Sequence, residues 1–385
     1  MSAPATFVQI VPRITAPPSG VVDYGLRVAE GLRDTFGMKT ILLAGAPATT
    51  LEQNQIGWPS HSLTVKSARC LQETLDAIHA RSPFQCMLVH VSGYGYAPRG
   101  APFWLAQGLS QWLAKRSDIK VIGVFHELFA TGRPWQSSFW FGALQAYVTR
   151  RIWRLCDAAI TTNTLYMEQL RAWRVADCPP IELLPVVSTV GEPEAIAPFD
   201  KRARTAIVFA SPGVEKTLYA NCGAALEQAV NSLGIERIID IGGRRQAPPS
   251  SVSGAPVTAL GRLPAAQISA LMCDASYGFL YYDASRMGKS TVFAAYAAHG
   301  LVPVCFGSGS IVRDGLDEGR ELLVSPSKAV SDEDGRRIQT SVKAWYQAHS
   351  IARLVDRVAL LSGVIVQAPS DGQSTAPASG GESRE

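Results

Sequence analysis

The sequence predicts an α/β protein made of two doubly wound, Rossmann-like domains that face each other across a cleft. Short apolar runs alternate with helical patterns along the chain, which is typical of a parallel sheet covered by helices. A polar segment with two prolines, residues 191–204, interrupts this alternation, and the pattern then restarts. The chain has 385 residues, 47% of them apolar, which is enough for two sizeable cores.

The first domain is predicted over residues 1–190, where strands alternate with helices. We predict strands in the apolar runs at 6–11, 40–43, 86–91, 120–125, 158–162 and 181–186. We predict helices where apolar residues recur at helical spacing, at 23–36, 67–80, 102–115, 140–156 and 164–173. In the first of these helices, Leu26, Ala29 and Leu32 fall on one side. A loop rich in glycine and tyrosine, residues 92–100, follows the third strand.

The second domain is predicted over residues 205–362, after the linker. Its strands are predicted at 205–210, 237–241, 256–260, 277–282, 301–306 and 321–324. Its helices are predicted at 216–232, 264–273, 289–299, 334–348 and 351–361. The last helix is a candidate to pack back on the first domain. Residues 363–385 are mostly small, polar or charged, so we expect a disordered tail.

Composition argues against several classes of protein. The net charge is only +4 and charged residues make up 18% of the chain, so we expect no nucleic-acid partner. The seven cysteines include no Cys-x-x-Cys pair, and no Cys and His spacing fits a metal site. The N-terminus lacks the pattern of a signal peptide and no apolar run approaches 18 residues. We therefore expect a cytoplasmic protein with reduced thiols and no metal.

The stretch 275–306 predicts a strand, a loop, a helix and a second strand, with the loop at the carboxyl edge of a parallel sheet. Backbone N–H groups at the start of the helix would point outward there and form an anion site, which predicts that a diphosphate binds at Gly288, Lys289, Ser290 and Thr291. The two hydroxyls could instead cap the helix. A P-loop is a further alternative, but its first glycine is replaced by Asp283.

Several blocks of sequence, in order and over residues 5–350, carry a resemblance to a known family. They are SGVVDY at 19–24, VIGVFHE at 121–127, DAAITT at 157–162, ALGRLP at 259–264, DASYGFLYY at 274–282 and AHGLVPV at 298–304. Together they resemble the GT-B glycosyltransferases, in particular the retaining group often called family 4. The resemblance implies the GT-B fold and a nucleotide-sugar site in the second domain.

The sequence departs from that family at charged positions. The family usually has two glutamates eight positions apart in the donor loop and helix, and the matching positions here are Met287 and Ala295. The family's basic pair after the first strand of the second domain is reduced to Lys216, because positions 211–212 are Ser-Pro.

The resemblance implies three catalytic candidates. Lys216 would reach the donor diphosphate, although a solvated lysine at the start of a helix is the alternative. His126 would touch the transferred sugar, and Glu127 beside it could raise the pKa of the imidazole or act as a base. A hydrogen-bonded histidine with no function at a strand end is the alternative for His126.

The resemblance, together with the positions of residues at strand ends and at a helix start, predicts binding residues on both sides of the cleft. On the donor side these are Gly20, Arg262, Leu263, Arg286, Gly288, Lys289, Ser290 and Thr291, with Arg244 and Arg245 as a further pair near the base. On the acceptor side they are His90 and Tyr94, whereas His299 is expected to be structural. A face of aromatic residues and arginines between Arg133 and Arg154 suits a membrane surface that carries a lipid-linked sugar, or is the charged outer edge of a core helix.

These observations predict a metal-independent hexosyltransferase without a cofactor. It would transfer a sugar, with retention of configuration, from a nucleotide-diphosphate sugar to a glycan or lipid-linked acceptor. The expected setting is bacterial surface polysaccharide synthesis at the inner face of the plasma membrane. The alternative is a non-catalytic GT-B protein that binds a nucleotide or a protein partner, for which Met287 and Ala295 are the main argument.

Overall fold

The fold was analysed in a computed structural model, which describes residues 5–14, 20–48, 56–131, 137–174, 176–210, 214–243, 247–307 and 313–364. At 137–139 and 214–217 only the backbone is described. The predictions for Arg244, Arg245, the Ser-Pro pair at 211–212, Arg133 and the tail beyond residue 364 fall outside these residues.

The first lobe is a seven-stranded, all-parallel sheet with strand order β3-β2-β1-β4-β5-β6-β7. Its strands are β1 Thr6–Val11, β2 Lys39–Ala44, β3 Ser60–Ser62, β4 Cys86–Val91, β5 Lys120–Phe125, β6 Ala158–Thr161 and β7 Ile181–Leu183. Its helices are α1 Gly20–Phe36, α2 Ala68–Arg81, the short α3 Gly93–Tyr96, α4 Phe103–Leu113, α5 Ser137–Trp153 and α6 Thr164–Trp173. The order reverses between β1 and β4, which places a ligand crevice at their carboxyl ends.

The second lobe is a seven-stranded sheet with order β10-β11-β9-β8-β12-β13-β14, parallel except for the β10–β11 pair. Its strands are β8 Ala203–Phe209, β9 Arg237–Ile241, β10 Ser251–Val252, β11 Ala255–Gly261, β12 Ala275–Leu280, β13 Val302–Cys305 and β14 Leu323–Val324. Its helices are α7 Val214–Asn221, α8 Gly223–Leu233, α9 Ala265–Asp274, α10 Thr291–Ala298 and α11 Asp332–Gln347. The prediction of two Rossmann-like domains is therefore confirmed.

The central strands of both sheets are covered on both faces, and this explains their sequence pattern. All six residues of β4 and all six of β12 are buried, so these strands read as continuous runs without polar alternation. Two helices of the first lobe begin at side-chain caps that the sequence supplies: Ser67 Oγ accepts from the Cys70 N–H, and Asn163 Oδ1 accepts from the Tyr166 N–H.

Several predicted boundaries were wrong, for local reasons. The strand at 181–186 ends at Leu183, two residues before Pro185, which has no N–H to donate. The helix predicted at 216–232 is two helices that meet at Cys222. The loop at 92–100 contains α3, and the loop after β12 contains a 3₁₀ turn, Ala284–Lys289, which Asp283 caps through Ser285.

The last helix of the described chain, α12 (Ile351–Leu361), lies against the first lobe rather than the second. Its apolar face, which includes Leu354, Val355 and Val358, joins a cluster with Val28 and Leu32 of α1. The chain thus crosses between the lobes twice, and burial of this face ties the two lobes together.

The lobes also meet at the carboxyl edges of their sheets. The Val186 N–H donates to the carbonyl of Gly288 (2.9 Å), and the Thr164 N–H at the start of α6 donates to Asp314 Oδ1 (2.7 Å). In the part of the chain that the structure describes, no helix is both long and apolar enough to cross a membrane.

Candidate functional site

A cavity of about 650 Å³, here called the main cavity, lies between the two lobes. Its walls come from the carboxyl ends of β1, β4 and β5, from the start of α1, and from the start of α10 in the second lobe. Residues from both lobes line it, including Gly20, Tyr24, His126, Glu127, Lys289 and Thr291. The site therefore needs both lobes to be complete.

The start of α10 differs from the prediction of four outward-pointing amides. The Gly288 N–H donates to Asp314 Oδ2 (3.1 Å), and the Ser290 N–H donates to the Met287 carbonyl (2.9 Å). The Ser290 hydroxyl caps α10 by accepting from the Phe293 N–H (3.1 Å). The expectation that the Gly288 and Ser290 amides are open to a ligand is thus corrected, because the protein itself supplies their acceptors.

Lys289 and Thr291 lie where the main cavity meets the neighbouring spaces. Lys289 Nζ donates to the Tyr166 hydroxyl (3.0 Å) and lies 4.9 Å from the centre of that ring. Lys289 lines the main cavity, a pocket of about 180 Å³ at the ends of β8 and β12, and a pocket beside Tyr94. Thr291 lines the first two of these spaces, so a cation and a hydroxyl stand at the junction.

A groove of about 400 Å³, here called the Arg262 groove, leads from Thr291 along the second lobe. Gly242, Gly243, Arg262 and Leu263 line it at the ends of β9 and β11. A Cβ on Gly243 would lie 2.7 Å from Arg262 Nε, so glycine allows the guanidinium to lie directly over this turn. The predicted residues Arg262 and Leu263 therefore line a groove next to the main cavity, which His126 lines. Thr291 lies where the two spaces meet.

His126 follows the last residue of β5 and lines the main cavity. Its Nε2 lies 3.0 Å from Nδ1 of His90, and the edge of the Tyr24 ring packs against it, with ring centres 5.0 Å apart. Burial, and then the positive charge of Lys289, lowers the pKa of His126 to about 3. The expectation that Glu127 raises this pKa is wrong, because burial and Lys289 dominate and the imidazole is neutral.

His90 does not line the acceptor side, which corrects another expectation. Its side chain is 0% exposed, because β4 is a central strand whose two faces are covered. It lies behind His126 and its Nε2 is 2.8 Å from Oε1 of Gln9 on β1. Burial, followed by the proximity of His126, lowers the pKa of His90 as well.

The side chains of Glu127 and Tyr94 do line open cavities. Glu127 is exposed, accepts from the Ser92 hydroxyl (3.3 Å), and lines both the main cavity and the pocket beside Tyr94. Tyr94 is 45% exposed and its hydroxyl accepts from Nε2 of Gln145 on α5 (3.0 Å). Glu127 thus connects the two spaces, with its carboxylate near both.

The remaining predicted residues lie in four different places. Gly20 is the first residue of α1 and lines the main cavity, with open space where a Cβ would be. Arg286 lies outside the main cavity, in the pocket beside Tyr94, and its Nε is 3.8 Å from the carboxylate of Asp283. Lys216 is in α7, just beyond the end of β8, and its side chain is outside the described part of the chain. His299 is 0% exposed and its Nε2 contacts the Ser269 hydroxyl.

The two positions that the family resemblance pairs with glutamates are in the core. Met287 and Ala295 are both 0% exposed and pack in the same apolar cluster of the second lobe. A carboxylate at either position would be buried among apolar side chains, which is costly unless it is paired.

The sequence interpretation missed several residues of the main cavity. Tyr24 and Thr162 line it, and their buried hydroxyls have no hydrogen-bond partner in the described structure. Arg13, Asp23 and Arg27 line it too. Asp23 and Tyr24 are in the block at 19–24 and Thr162 is in the block at 157–162, so the family resemblance held a signal for these three, whereas Arg13 and Arg27 lie outside its blocks.

A metal centre has no support among the residues that the structure describes. No group of three or more His, Cys, Asp or Glu side chains lies close enough there to hold a metal ion. The seven cysteines are free thiols.

Comparison of sequences finds neither a matching protein family nor a matching characterised protein. Comparison of structures finds several similar folds over 94% of this chain. A glycosyltransferase from Rickettsia africae is similar over 98% of its own length (TM-score 0.58, 9% identity). HepE from Anabaena, solved with UDP and glucose, is similar over 100% of its length (TM-score 0.60, 10% identity). A proposed UDP-N-acetylglucosamine 2-epimerase from Listeria monocytogenes is similar over 97% of its length (TM-score 0.55, 12% identity).

At these identities the likeness concerns the fold. Two parallel, doubly wound sheets with a cavity between their carboxyl edges, matched over nearly the whole of both chains, show that this protein has the GT-B fold of sugar-nucleotide glycosyltransferases.

Proposed function

We propose that the protein is a glycosyltransferase that moves a sugar from a nucleotide-diphosphate sugar to a glycan or lipid-linked acceptor. One observation carries the proposal: Thr291 lies at the point where the Arg262 groove meets the main cavity, and Lys289 lies next to it. A nucleotide sugar has this same order of parts. Its base would occupy the groove, its diphosphate the junction, and its sugar the main cavity beside His126.

Charge supports this placement of the diphosphate. The Lys289 ammonium and the start of α10 both favour a negative group at the junction, and both would stabilise the charge that develops on the leaving diphosphate. Lys216 is in α7, which follows the end of β8, and is proposed as a second cation. These groups can offset the diphosphate charge without a metal, and activity that survives a chelator would test this.

His126 is proposed to bind the transferred sugar as a neutral imidazole. Its low pKa means that it can accept a hydrogen bond from a sugar hydroxyl at neutral pH and is not a cation there. Glu127 is proposed to interact with the acceptor hydroxyl, since it lies between the main cavity and the pocket beside Tyr94. Retention of configuration is proposed on the family resemblance alone, and the anomeric form of the product tests it.

A lipid-linked acceptor is favoured by the surface of α5. Trp140, Leu144 and Tyr147 are 71%, 40% and 52% exposed, and helical spacing places them on one side. Arg150 and Arg151 follow in the last turn, and the helix has no acidic residue. An aromatic and basic helix suits the interface of a membrane with anionic lipids, where the substrate of surface polysaccharide synthesis would be held. Sedimentation with phosphatidylglycerol vesicles tests this. The wild type should sediment with the vesicles, and the double variant Trp140→Ala, Tyr147→Ala should not.

A non-catalytic GT-B protein that binds a nucleotide or a protein partner is the second candidate. The observation that favours it is the burial of Met287 and Ala295, which leaves no carboxylate at either position.

The experiment is a thermal-shift screen with UDP, GDP, ADP and their glucose derivatives, followed by a transfer assay. We expect one nucleotide series to stabilise the protein, by about 2.7 kcal/mol at a concentration 100 times Kd, and its sugar to be released or transferred. Lys289→Met should reduce the stabilisation to about 0.4–1.4 kcal/mol at the same ligand concentration, whereas Lys328→Met, at an exposed lysine of the same lobe, should leave it unchanged.

Other outcomes identify other functions. Stabilisation without transfer or hydrolysis would support the non-catalytic alternative. Conversion of UDP-N-acetylglucosamine without an acceptor would indicate epimerase chemistry. Binding of Mg-ATP alone, lost in Lys289→Ala, would indicate the P-loop alternative. No stabilisation by any nucleotide would contradict the proposal.

A further inference from the structure

We propose that Gln9 and His90 are positioning residues that fix the tautomer of His126, so that its Nδ1 faces the sugar as a hydrogen-bond acceptor. This inference rests on the proposed function for the identity of the ligand. The tautomer itself is a property of the free protein and can be measured without any activity.

The three side chains form a continuous chain of hydrogen bonds from the core to the main cavity. Gln9 Oε1 lies 2.8 Å from His90 Nε2, and His90 Nδ1 lies 3.0 Å from His126 Nε2. Gln9 and His90 are both 0% exposed, so water does not compete for these bonds. His126 Nδ1 has no hydrogen-bond partner among the described residues.

The direction of this chain is set at its buried end. Gln9 Nε2 donates to the carbonyl of Gly25 on α1 (3.1 Å), and a carbonyl can only accept. The amide oxygen of Gln9 must therefore face His90, which makes His90 Nε2 the proton-bearing nitrogen. In a neutral imidazole the other nitrogen is then an acceptor, so His90 Nδ1 accepts from a proton on His126 Nε2.

The proton on His126 Nε2 leaves a bare lone pair on its Nδ1. A neutral His126 in this tautomer accepts a hydrogen bond from a hydroxyl but offers it no N–H. Burial lowers the pKa of both imidazoles, which keeps the pair neutral near pH 7. The site would thus select for a ligand that presents a hydroxyl donor at this point, as a sugar does.

Packing holds the chain of side chains in place. The two imidazole planes lie within 14° of each other with ring centres 5.3 Å apart, the edge-to-edge arrangement that an N–H···N bond needs, and Tyr24 packs edge-on against both. Gly25 lies against the buried end: a Cβ there would be 3.1 Å from Gln9 Oε1 and 3.5 Å from His90 Nε2. A glycine within α1 lowers helix stability, and here it makes room for the glutamine that orients His90.

The test uses the full chain labelled with ¹⁵N-histidine. Nitrogens with and without a proton have well separated ¹⁵N shifts, and the chain has only six histidines, so His126 can be assigned with His126→Gln. We expect a proton on Nε2 and a bare Nδ1 in the wild type. Gln9→Met removes the acceptor of His90 and should populate the other tautomer of His126. Gln9→Glu should make His90 a cation that donates from Nδ1, which forces the proton of His126 onto its Nδ1.

A matched control separates positioning from general damage to the core. Gln339 is also a buried glutamine, and its Nε2 donates to the carbonyls of Ala197 and Gly300, but it is on α11 of the second lobe. Gln339→Met should lower stability but leave the His126 tautomer unchanged. A wild-type His126 with its proton on Nδ1, or an unchanged tautomer in both Gln9 variants, would overturn the inference.

A binding measurement links the tautomer to the sugar. With UDP-glucose as the probe, Gln9→Met should weaken binding by roughly 3- to 10-fold, the effect of one hydrogen bond, and should leave the affinity for UDP unchanged. Equal losses for UDP and UDP-glucose would contradict the contact with the sugar. If another nucleotide series stabilises the protein, that nucleoside diphosphate and its glucose derivative replace these two probes. If no series binds, the proposed function fails while the spectra still decide the tautomer.

Discussion

At the scale of single residues, the low pKa of His126 predicts how the free energy of unfolding depends on pH. Its folded-state pKa is about 3, below the ordinary value of 6.5, so the unfolded chain binds a proton between these values that the folded protein does not. Its contribution to stability is complete above pH 6.5 and is lost as the pH falls. The free energy of unfolding should therefore fall from pH 6.5 to pH 4, by up to about 1.4 kcal/mol per pH unit for this histidine.

Urea unfolding of the wild type and His126→Gln at several pH values measures this contribution. Glutamine keeps a neutral polar side chain at the position, so the variant should show a smaller slope of stability against pH. Parallel curves for the two proteins would mean that His126 titrates normally in the folded state.

Two buried tyrosines, Tyr24 and Tyr296, differ in their hydrogen bonds, so their phenylalanine variants should differ in stability. The Tyr24 hydroxyl has no hydrogen-bond partner in the described structure, so Tyr24→Phe should leave the free energy of unfolding unchanged within about 0.5 kcal/mol, or raise it. Thermal or urea unfolding measures it. A loss above about 1 kcal/mol would show that this hydroxyl has a partner after all.

At the scale of elements, Tyr296 ties α10 to the sheet below it. Its hydroxyl accepts from the Phe209 N–H (2.9 Å) and lies 3.0 Å from the carbonyls of Ile207 and Phe279, on the neighbouring strands β8 and β12. Gly278 allows this approach, since a Cβ there would lie 2.4 Å from the ring. The anchored helix presents Lys289 and Thr291 to the junction.

Tyr296→Phe should therefore behave in the opposite way to Tyr24→Phe. It removes the acceptor of the buried Phe209 N–H and the single hydroxyl proton that the two carbonyls share, and should lower the free energy of unfolding by about 1–3 kcal/mol. The amide of Phe209 should exchange with solvent faster in the variant. Equal stabilities of Tyr296→Phe and Tyr24→Phe would contradict the assigned anchor.

Much of the element order could be predicted from the sequence, because parallel strands buried on both faces leave a strong apolar signal. β5 (Lys120–Phe125) and α12 (Ile351–Leu361) have the bounds that the pattern predicts. β3 (Ser60–Ser62) was missed because it is short and polar and pairs only at the sheet edge. The 3₁₀ turn Ala284–Lys289 was missed because its cap is a single side chain, Asp283.

The candidate site was less predictable than the fold. The family resemblance brought His126, Lys289, Thr291 and Gly20 to one cavity, because each follows a strand or begins a helix at the carboxyl edge. It did not show that the Gly288 amide is already bonded to Asp314, since that contact joins residues far apart along the chain. The roles of these residues stay predictions.

At the scale of the whole molecule, Asp314 holds the two lobes together. Its carboxylate accepts from the Gly288 N–H of the second lobe and from the N–H and hydroxyl of Thr164 in the first. Its backbone is left-handed, with φ of 66°, a conformation that asparagine also tolerates. Asp314→Asn therefore changes the hydrogen bonds without adding backbone strain.

In Asp314→Asn the side-chain NH₂ group would face the donors of Gly288 or Thr164. Two donors would then meet at the contact between the lobes, and a hydrogen bond would be lost. We expect a loss of about 1–3 kcal/mol in the free energy of unfolding, faster hydrogen exchange at Gly288 and Thr164, and a larger radius of gyration in solution. Asp317→Asn, whose side chain is 73% exposed, should change none of these. An unchanged radius and unchanged exchange in Asp314→Asn would show that other contacts set the spacing of the lobes.

We propose that both lobes bind one nucleotide-diphosphate sugar, with its diphosphate at Lys289 and its sugar at His126. The most direct test is calorimetric titration into the wild type, Lys289→Met and His126→Ala. The ligands are UDP and UDP-glucose, or the corresponding pair from the nucleotide series that stabilises the protein. Lys289→Met should weaken both ligands by about 10- to 100-fold, and His126→Ala should weaken only the sugar nucleotide. Wild-type affinities in Lys289→Met, or equal losses for both ligands in His126→Ala, would contradict the claim.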